Sequence, residues 1–145
     1  MSKILGVDWG RVTLGLAVSD DLGITAQGLT SLPRVSEAKD VEAIGAFIRE
    51  LGIGEIVVGL PKNMDGSQGP SAEAARKFAQ ALHDRLEIPV HLWDERLTTL
   101  AAERVLLDAG TSRRTRRALV NQVAASMILQ GFLDRQRVRV DREDS

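Results

Sequence analysis

The period of the hydrophobic pattern changes along this chain, and that change limits the possible folds more than any other feature. Before Ser36 the apolar residues fall in short runs. Ile4 to Val7 and Val12 to Val18, joined by Asp8-Trp9-Gly10-Arg11, read as a β-hairpin. A third short strand is expected near Gln27 to Ser31, closed by Pro33. From Ser36 onward, helical stripes alternate with strand-like runs. Ser36 is a candidate N-cap for a helix carrying Val41, Ile44, Phe47, Ile48 and Leu51 at helical spacing, with Gly52 as its stop. Glu55 to Gly59 reads as a buried strand. Ser71 is a candidate cap for a helix with Ala75, Phe78, Ala79 and Leu82 on one face, and Val90 to Trp93 follow Pro89 as a further strand. Thr98 or Thr99 can cap a third helix ending at Gly110, and a fourth is expected from about Arg116 to Leu133. The order predicts an α/β fold, a mixed five-stranded sheet flanked by helices, in one domain over 1–138 with a charged, flexible tail at 139–145.

A chain of 145 residues, 43% hydrophobic, has room for one proper core. It contains no cysteine, which excludes a disulfide framework and any thiolate metal site, so a metal would have to be held by oxygen. No apolar run approaches eighteen residues, and the one at Ile4 to Val7 is too short for a signal sequence. The expectation is a cytoplasmic protein with no membrane partner. The net charge of -1 conceals an asymmetry. Residues 1–112 carry eleven basic and sixteen acidic side chains, whereas 113–145 carry eight arginines and four acids, which confines any polyanion-binding surface to the C-terminal third. Aromatic residues are 3% of the chain and tyrosine is absent. A surface that stacks successive bases is therefore disfavoured, and nucleic acid would be read through its backbone and shape.

Two acids stand out. Asp8 sits where the first strand meets a tight turn, and Gly10 beside it permits a backbone shape closed to other residues. The plain alternative is an Asp-Gly hairpin turn. Glu95 directly follows the strand that ends in Trp93, and its plain alternative is an acid favoured near a helix N-terminus. Carboxylates at the ends of strands in one sheet can converge, and they repel unless a cation joins them. Hard divalent ions want such oxygen ligands, which makes Mg2+ or Mn2+ the cofactor this composition permits. The stretch Pro61-Lys62-Asn63-Met64-Asp65-Gly66-Ser67-Gln68-Gly69-Pro70 leads to a helix N-terminus that can hold an anion, or is an ordinary connection. Arg113, Arg114, Arg116 and Arg117 lie at the start of the last helix, where cations oppose the helix dipole. A phosphate-binding patch accounts for them better than a solvated face does. Trp9, Trp93, His83 and His91 read as structural.

Five segments, Gly6-Val7-Asp8-Trp9-Gly10, Gly15-Leu16-Ala17-Val18-Ser19-Asp20, Val57-Val58-Gly59-Leu60-Pro61 with Asp65-Gly66-Ser67, Asp94-Glu95-Arg96-Leu97-Thr98-Thr99, and Gln122-Val123-Ala124-Ala125 with Ile128-Leu129-Gln130, resemble the YqgF (RuvX) family in order and spacing. The resemblance spans nearly the whole chain. It implies a ribonuclease H-like domain and a metal-dependent nuclease, with two rival substrates. One is the precursor of 16S ribosomal RNA, matured at its 5′ end during ribosome biogenesis, and the other is the Holliday junction of DNA recombination. The family's acidic site falls on Asp8 and Glu95, and its third position, an Asp in the family, falls on Asn121. An amide oxygen still ligates a metal but brings no charge. At about 4 Å and an effective dielectric near 20, a carboxylate there would add roughly 8 kcal/mol of attraction to a divalent ion before desolvation offsets it. Asp20 and Asp94 are nearby acids that could substitute. Thr13 is a second departure, where the family usually has Arg or Lys.

The expected chemistry is phosphodiester hydrolysis with one or two divalent ions held by Asp8, Glu95 and Asn121. Lys62, Arg96 and the Arg113 to Arg117 cluster would position phosphates, and Thr98 or Thr99 would fix the local turn. Two other classes compete. A sugar-kinase or actin-like phosphotransferase shares Asp-x-Gly on its first hairpin but needs two lobes, and this chain is long enough for one. A catalytically silent module binding ribosomal RNA is motivated by Asn121. A homodimer is left open.

Overall fold

The computed structural model describes residues 2–60, 69–94, 104–110 and 112–144. A five-stranded mixed sheet organises them. Its strands are β1 (Lys3–Trp9), β2 (Thr13–Ser19), β3 (Ala26–Pro33), β4 (Ile53–Leu60) and β5 (Val90–Asp94), and its helices are α1 (Glu37–Leu51), α2 (Pro70–Leu86) and α3 (Arg113–Asp144). The strand order is β3-β2-β1-β4-β5. β1 and β2 form the expected antiparallel hairpin and β3 extends it, while β1, β4 and β5 run parallel, so the carboxyl ends of these three lie on one rim.

Alternation along the strands divides the core in two. Leu5, Val7, Leu14, Leu16, Ile56, Val58 and Leu60 point to the side covered by α1 and α2, where they meet Val41, Ile44, Phe78 and Leu82. Ile4, Ala17 and Val57 point the other way and are covered by α3 through Ala125, Ile128, Leu129, Phe132 and Leu133.

Helix ends follow local chemistry. Ser36 caps α1 by accepting from Lys39 N at 3.2 Å, and Gly52 ends it in the left-handed region at φ 69°. α2 begins differently from the expectation. Its N-cap is Gly69 with Pro70 in the first turn, and Ser71 lies inside the helix. Proline has no N–H to leave unsatisfied there and its fixed φ suits a helix start, so no side-chain cap is required. The Gly10 reading is also corrected. Gly10 does not adopt a positive φ, and what excludes a side chain is crowding, since a Cβ would lie 2.7 Å from the Thr13 carbonyl oxygen. Residues 104–108 are helical and end at Gly110, φ 73°. α3 starts three residues before the expected Arg116 and is helical through Asp144, past the segment expected as a tail. No described helix is long and apolar enough to cross a membrane.

Candidate active site

α3 crosses the sheet in direct contact with strand backbone, because glycines remove the side chains that would hold it off. A Cβ on Gly6 of β1 would lie 2.8 Å from Leu129 Cβ and 2.9 Å from the Ala125 carbonyl oxygen. One on Gly15 of β2 would collide with the backbone carbonyl of Asn121, and one on Gly28 of β3 would lie 2.6 Å from Gln122 Nε2. Glycine inside a strand commonly marks such close approach. Three neighbouring strands therefore form a seat for one helix. Gln130 pins the far side of that seat, accepting from Ala26 N at 2.9 Å and donating to the Ile24 carbonyl at 2.8 Å.

The seat sets the surroundings of Asp8. Ile4, Gly6 and Asp8 alternate onto the α3 side of β1, and Asp8 is paired directly with Gly15, the residue on which Asn121 rests. Asp8 is 6% exposed, near the carboxyl end of the central strand. The structure thus brings together Asp8 and Asn121, which the sequence separates by more than a hundred residues. The Asn121 side chain is half-buried, and its Nδ2 donates to Thr13 Oγ1 at the start of β2. The turn beyond Asp8 is held from the opposite side. Arg34 donates to the Gly10 carbonyl at 3.3 Å, lies 4.9 Å from the Trp9 ring, and pairs with buried Asp40 at 2.9 Å.

Neither acid considered as a substitute shares this position. Asp20 follows the opposite end of β2, where its Oδ1 accepts from Ile24 N at 2.7 Å and Thr25 N at 3.2 Å. The Ile24 N–H, foremost, holds its carboxyl below the usual range. Asp94 pairs with Leu60, a residue of the α1 and α2 core, while its neighbour Trp93 faces α3, so Asp94 projects from the other side of the sheet.

Glu95, Lys62, Arg96, Thr98 and Thr99 lie outside the described residues. Arg113, Arg114, Arg116 and Arg117 occupy the first turns of α3, which contain no acid. His83 Nδ1 meets the Ile88 carbonyl at 3.1 Å after the end of α2, His91 Nε2 meets Glu55 at 2.8 Å, and the Trp93 and Phe132 rings pack edge-on at 6.2 Å, all structural contacts as expected. Among the described residues no three His, Cys, Asp or Glu side chains cluster. What they do supply, a buried carboxylate and an amide beside it with no sulfur or imidazole, is an oxygen donor set suited to a hard divalent cation. Thr13, Gly15 and Gly28 escaped notice as site-builders. The glycines carried a readable signal, since they interrupt strand patterns where nothing else requires them.

Comparison with known proteins agrees with this geometry. Residues 2–135 match the model of the family described as RuvX, Holliday junction resolvase. A relative from Moorella thermoacetica named "Putative pre-16S rRNA nuclease" is 56% identical over 133 residues, covering 92% of this chain and 95% of the relative. One of the same name from Myxococcus xanthus is 52% identical over 135 residues, covering 93% and 89%. Among solved structures, Thermus thermophilus RuvC in complex with a Holliday junction substrate superposes with a TM-score of 0.58 at 14% identity, covering 94% of this chain and 96% of that one. Fowlpox virus resolvase bound to junction DNA gives 0.58 at 10% identity, covering 92% and 98%. These two likenesses bear out the ribonuclease H-like fold expected from the motifs.

Proposed function

That this chain belongs to the RuvX family is the premise from which we propose its function: a divalent-metal-dependent nuclease that hydrolyses phosphodiester bonds in the precursor of 16S ribosomal RNA, maturing its 5′ end. The observation that carries the reading is the buried Asp8 carboxylate at the carboxyl end of the central parallel strand, with Asn121 set beside it by the seated helix. Crevices at the carboxyl ends of parallel strands are the usual binding places of open α/β sheets. Homologous nucleases and resolvase-fold neighbours support hydrolytic nuclease chemistry on nucleic acid.

Asp8, Glu95 and Asn121 would hold Mg2+ or Mn2+, as nucleases of the resolvase type generally require a divalent metal. The chemistry such an ion would supply when bound is Lewis-acid assistance to water and to charge on the leaving oxygen. The chain's own residues position the substrate. Arg113, Arg114, Arg116 and Arg117 precede Asn121 by four to eight residues, about 6 to 12 Å along the helix axis, within reach of phosphates flanking the scissile one. The helix N-terminus adds its own preference for anions there. Lys62 and Arg96 would contribute further phosphate contacts, Gly10 lies in the turn beyond Asp8, and Thr98 and Thr99 would fix a further turn.

The names of the relatives favour the ribosomal precursor. The family description and the resolvase fold favour a second reading, cleavage of four-way DNA junctions. Incubating the protein with both substrates in parallel, with Mn2+, Mg2+ or chelator, separates them. A metal-dependent product from the RNA precursor alone is expected, and from the junction alone the second reading holds. Asp8→Asn keeps shape and removes charge, so it should abolish the product while leaving the far-ultraviolet circular dichroism unchanged. A folded Asp8→Asn protein that cleaves at the wild-type rate overturns the site assignment.

A further inference from the structure

Besides lacking charge, an asparagine ligand differs from a carboxylate in its asymmetry: only one of its two ends can hold a cation. The carbonyl oxygen is an acceptor and the NH2 group a donor, and the NH2 end repels a metal ion. The usefulness of Asn121 to the site thus depends on which end faces it, and in the structure the donor end is engaged elsewhere. Asn121 Nδ2 donates to Thr13 Oγ1, a contact across the sheet between residues 108 apart in sequence. Thr13 opens β2, on the same strand as Gly15, which bears the Asn121 backbone, and both residues are half-buried. Backbone and side chain of Asn121 are therefore both fixed by β2, the first by contact and the second by a directed hydrogen bond.

We propose that Thr13 is a positioning residue for this amide: by engaging Nδ2 it holds the donor end of Asn121 on β2 and leaves Oδ1 as the end offered to the cation. The proposal rests on the reading of Asn121 as a ligand and goes beyond it by assigning the orienting group. Residues behind metal ligands fix ligand orientation in this way, and their loss typically weakens metal binding about 10- to 100-fold. The hydroxyl can both accept and donate, and in the structure it accepts from Nδ2, whereas a cationic side chain at position 13 could only donate and would turn Oδ1 toward itself.

The distinction between amide and carboxylate supplies the test. The dissociation constant for Mn2+ is measured by the electron paramagnetic resonance signal of the free ion, together with the metal-induced shift in melting temperature. The proteins are wild type, Thr13→Val, Thr13→Ser, Asn121→Asp, the double variant Thr13→Val with Asn121→Asp, and Asp8→Asn. Thr13→Val, equal in shape and without the acceptor, should raise the dissociation constant about tenfold or more, and Thr13→Ser should restore it. With Asn121→Asp both ends are oxygen, orientation no longer matters, and adding Thr13→Val should change binding by less than about threefold. Equal weakening in both backgrounds, or none in the asparagine background, overturns the role of Thr13. If Thr13→Val does not fold, Thr13→Ala is read against Thr13→Ser in the same two backgrounds. Asp8→Asn keeps the underlying reading separate: undiminished Mn2+ binding in that variant means that the ion sits elsewhere, whatever Thr13 does.

Discussion

Adding a single methyl group beneath α3 tests whether the glycine seat sets the geometry of the site. In Gly6→Ala the new Cβ would lie 2.8 Å from Leu129 Cβ and 2.9 Å from the Ala125 carbonyl oxygen. Carbon contacts settle near 3.5 Å, so helix and strand must separate by about 0.7 Å. Neither obstructing atom belongs to the far end of a flexible side chain, so a change of rotamer gives no relief. Overpacking of this kind costs about 1 to 3 kcal/mol, which for a chain of this size lowers the melting temperature by roughly 3 to 12 °C. Asn121 lies one helical turn before Ala125 and moves with the helix, away from Asp8. Displacements approaching 1 Å in a catalytic constellation lower rates up to about 100-fold. The control is Gly52→Ala, where a Cβ meets nothing within 4 Å but the backbone is left-handed at φ 69°. That change should cost about 1 to 2 kcal/mol from backbone strain alone and leave the rate per folded molecule unchanged. Calorimetric melting and initial cleavage rates at saturating Mn2+, measured on all three proteins, decide the matter. A Gly6→Ala protein with wild-type melting temperature and rate refutes the close contact. One that is destabilised but fully active refutes the link between seat and site.

Changing Arg113, Arg114, Arg116 and Arg117 together to Ser should weaken binding to unrelated duplex sequences alike and flatten the logarithmic salt dependence by about 3 if three or four phosphate contacts are lost. An unchanged slope removes the arginines from the interface. Asn121→Asp should lower the Mn2+ concentration needed for half-maximal cleavage, while its melting temperature without metal stays equal to or below that of wild type, because an added anion would stand near buried Asp8 until a cation arrives. Equal metal-induced stabilisation of the two proteins would exclude position 121 as a ligand.

Much of the fold was legible because local chemistry fixes it. The hairpin, the Ser36 cap and the Gly52 stop depend on neighbours within a few residues, and all three form as expected. The start of α2 was misplaced because Ser71 is a good cap by type, yet Pro70 directly after Gly69 already satisfies the helix start by lacking a donor. Gly10 was selected correctly and explained wrongly, since crowding by Thr13 and left-handed backbone leave the same letter in the sequence. Asp8 stood out as a candidate from its place at a strand end, and it is buried there. Nothing local joins it to Asn121, and that association came from the family motifs. The Thr13 contact could not be read at all, because it depends on where a helix from the far end of the chain comes to rest on the second strand.

The glycine seat also bears on how this protein can vary. The separation between β1 and α3 is set by main-chain atoms and by Leu129 Cβ, and the identity of residue 121 has no part in it. A change from amide to carboxylate at 121 can therefore arise in one step without redocking the helix, and on the proposed role of 121 selection can act on charge there with little effect on how the helix is seated. Positions 6 and 15 have no such freedom, since every other residue brings the same obstructing Cβ. In a library covering every single substitution, scored separately for folding and for cleavage, 121 should divide the two scores, whereas 6 and 15 should lose both together.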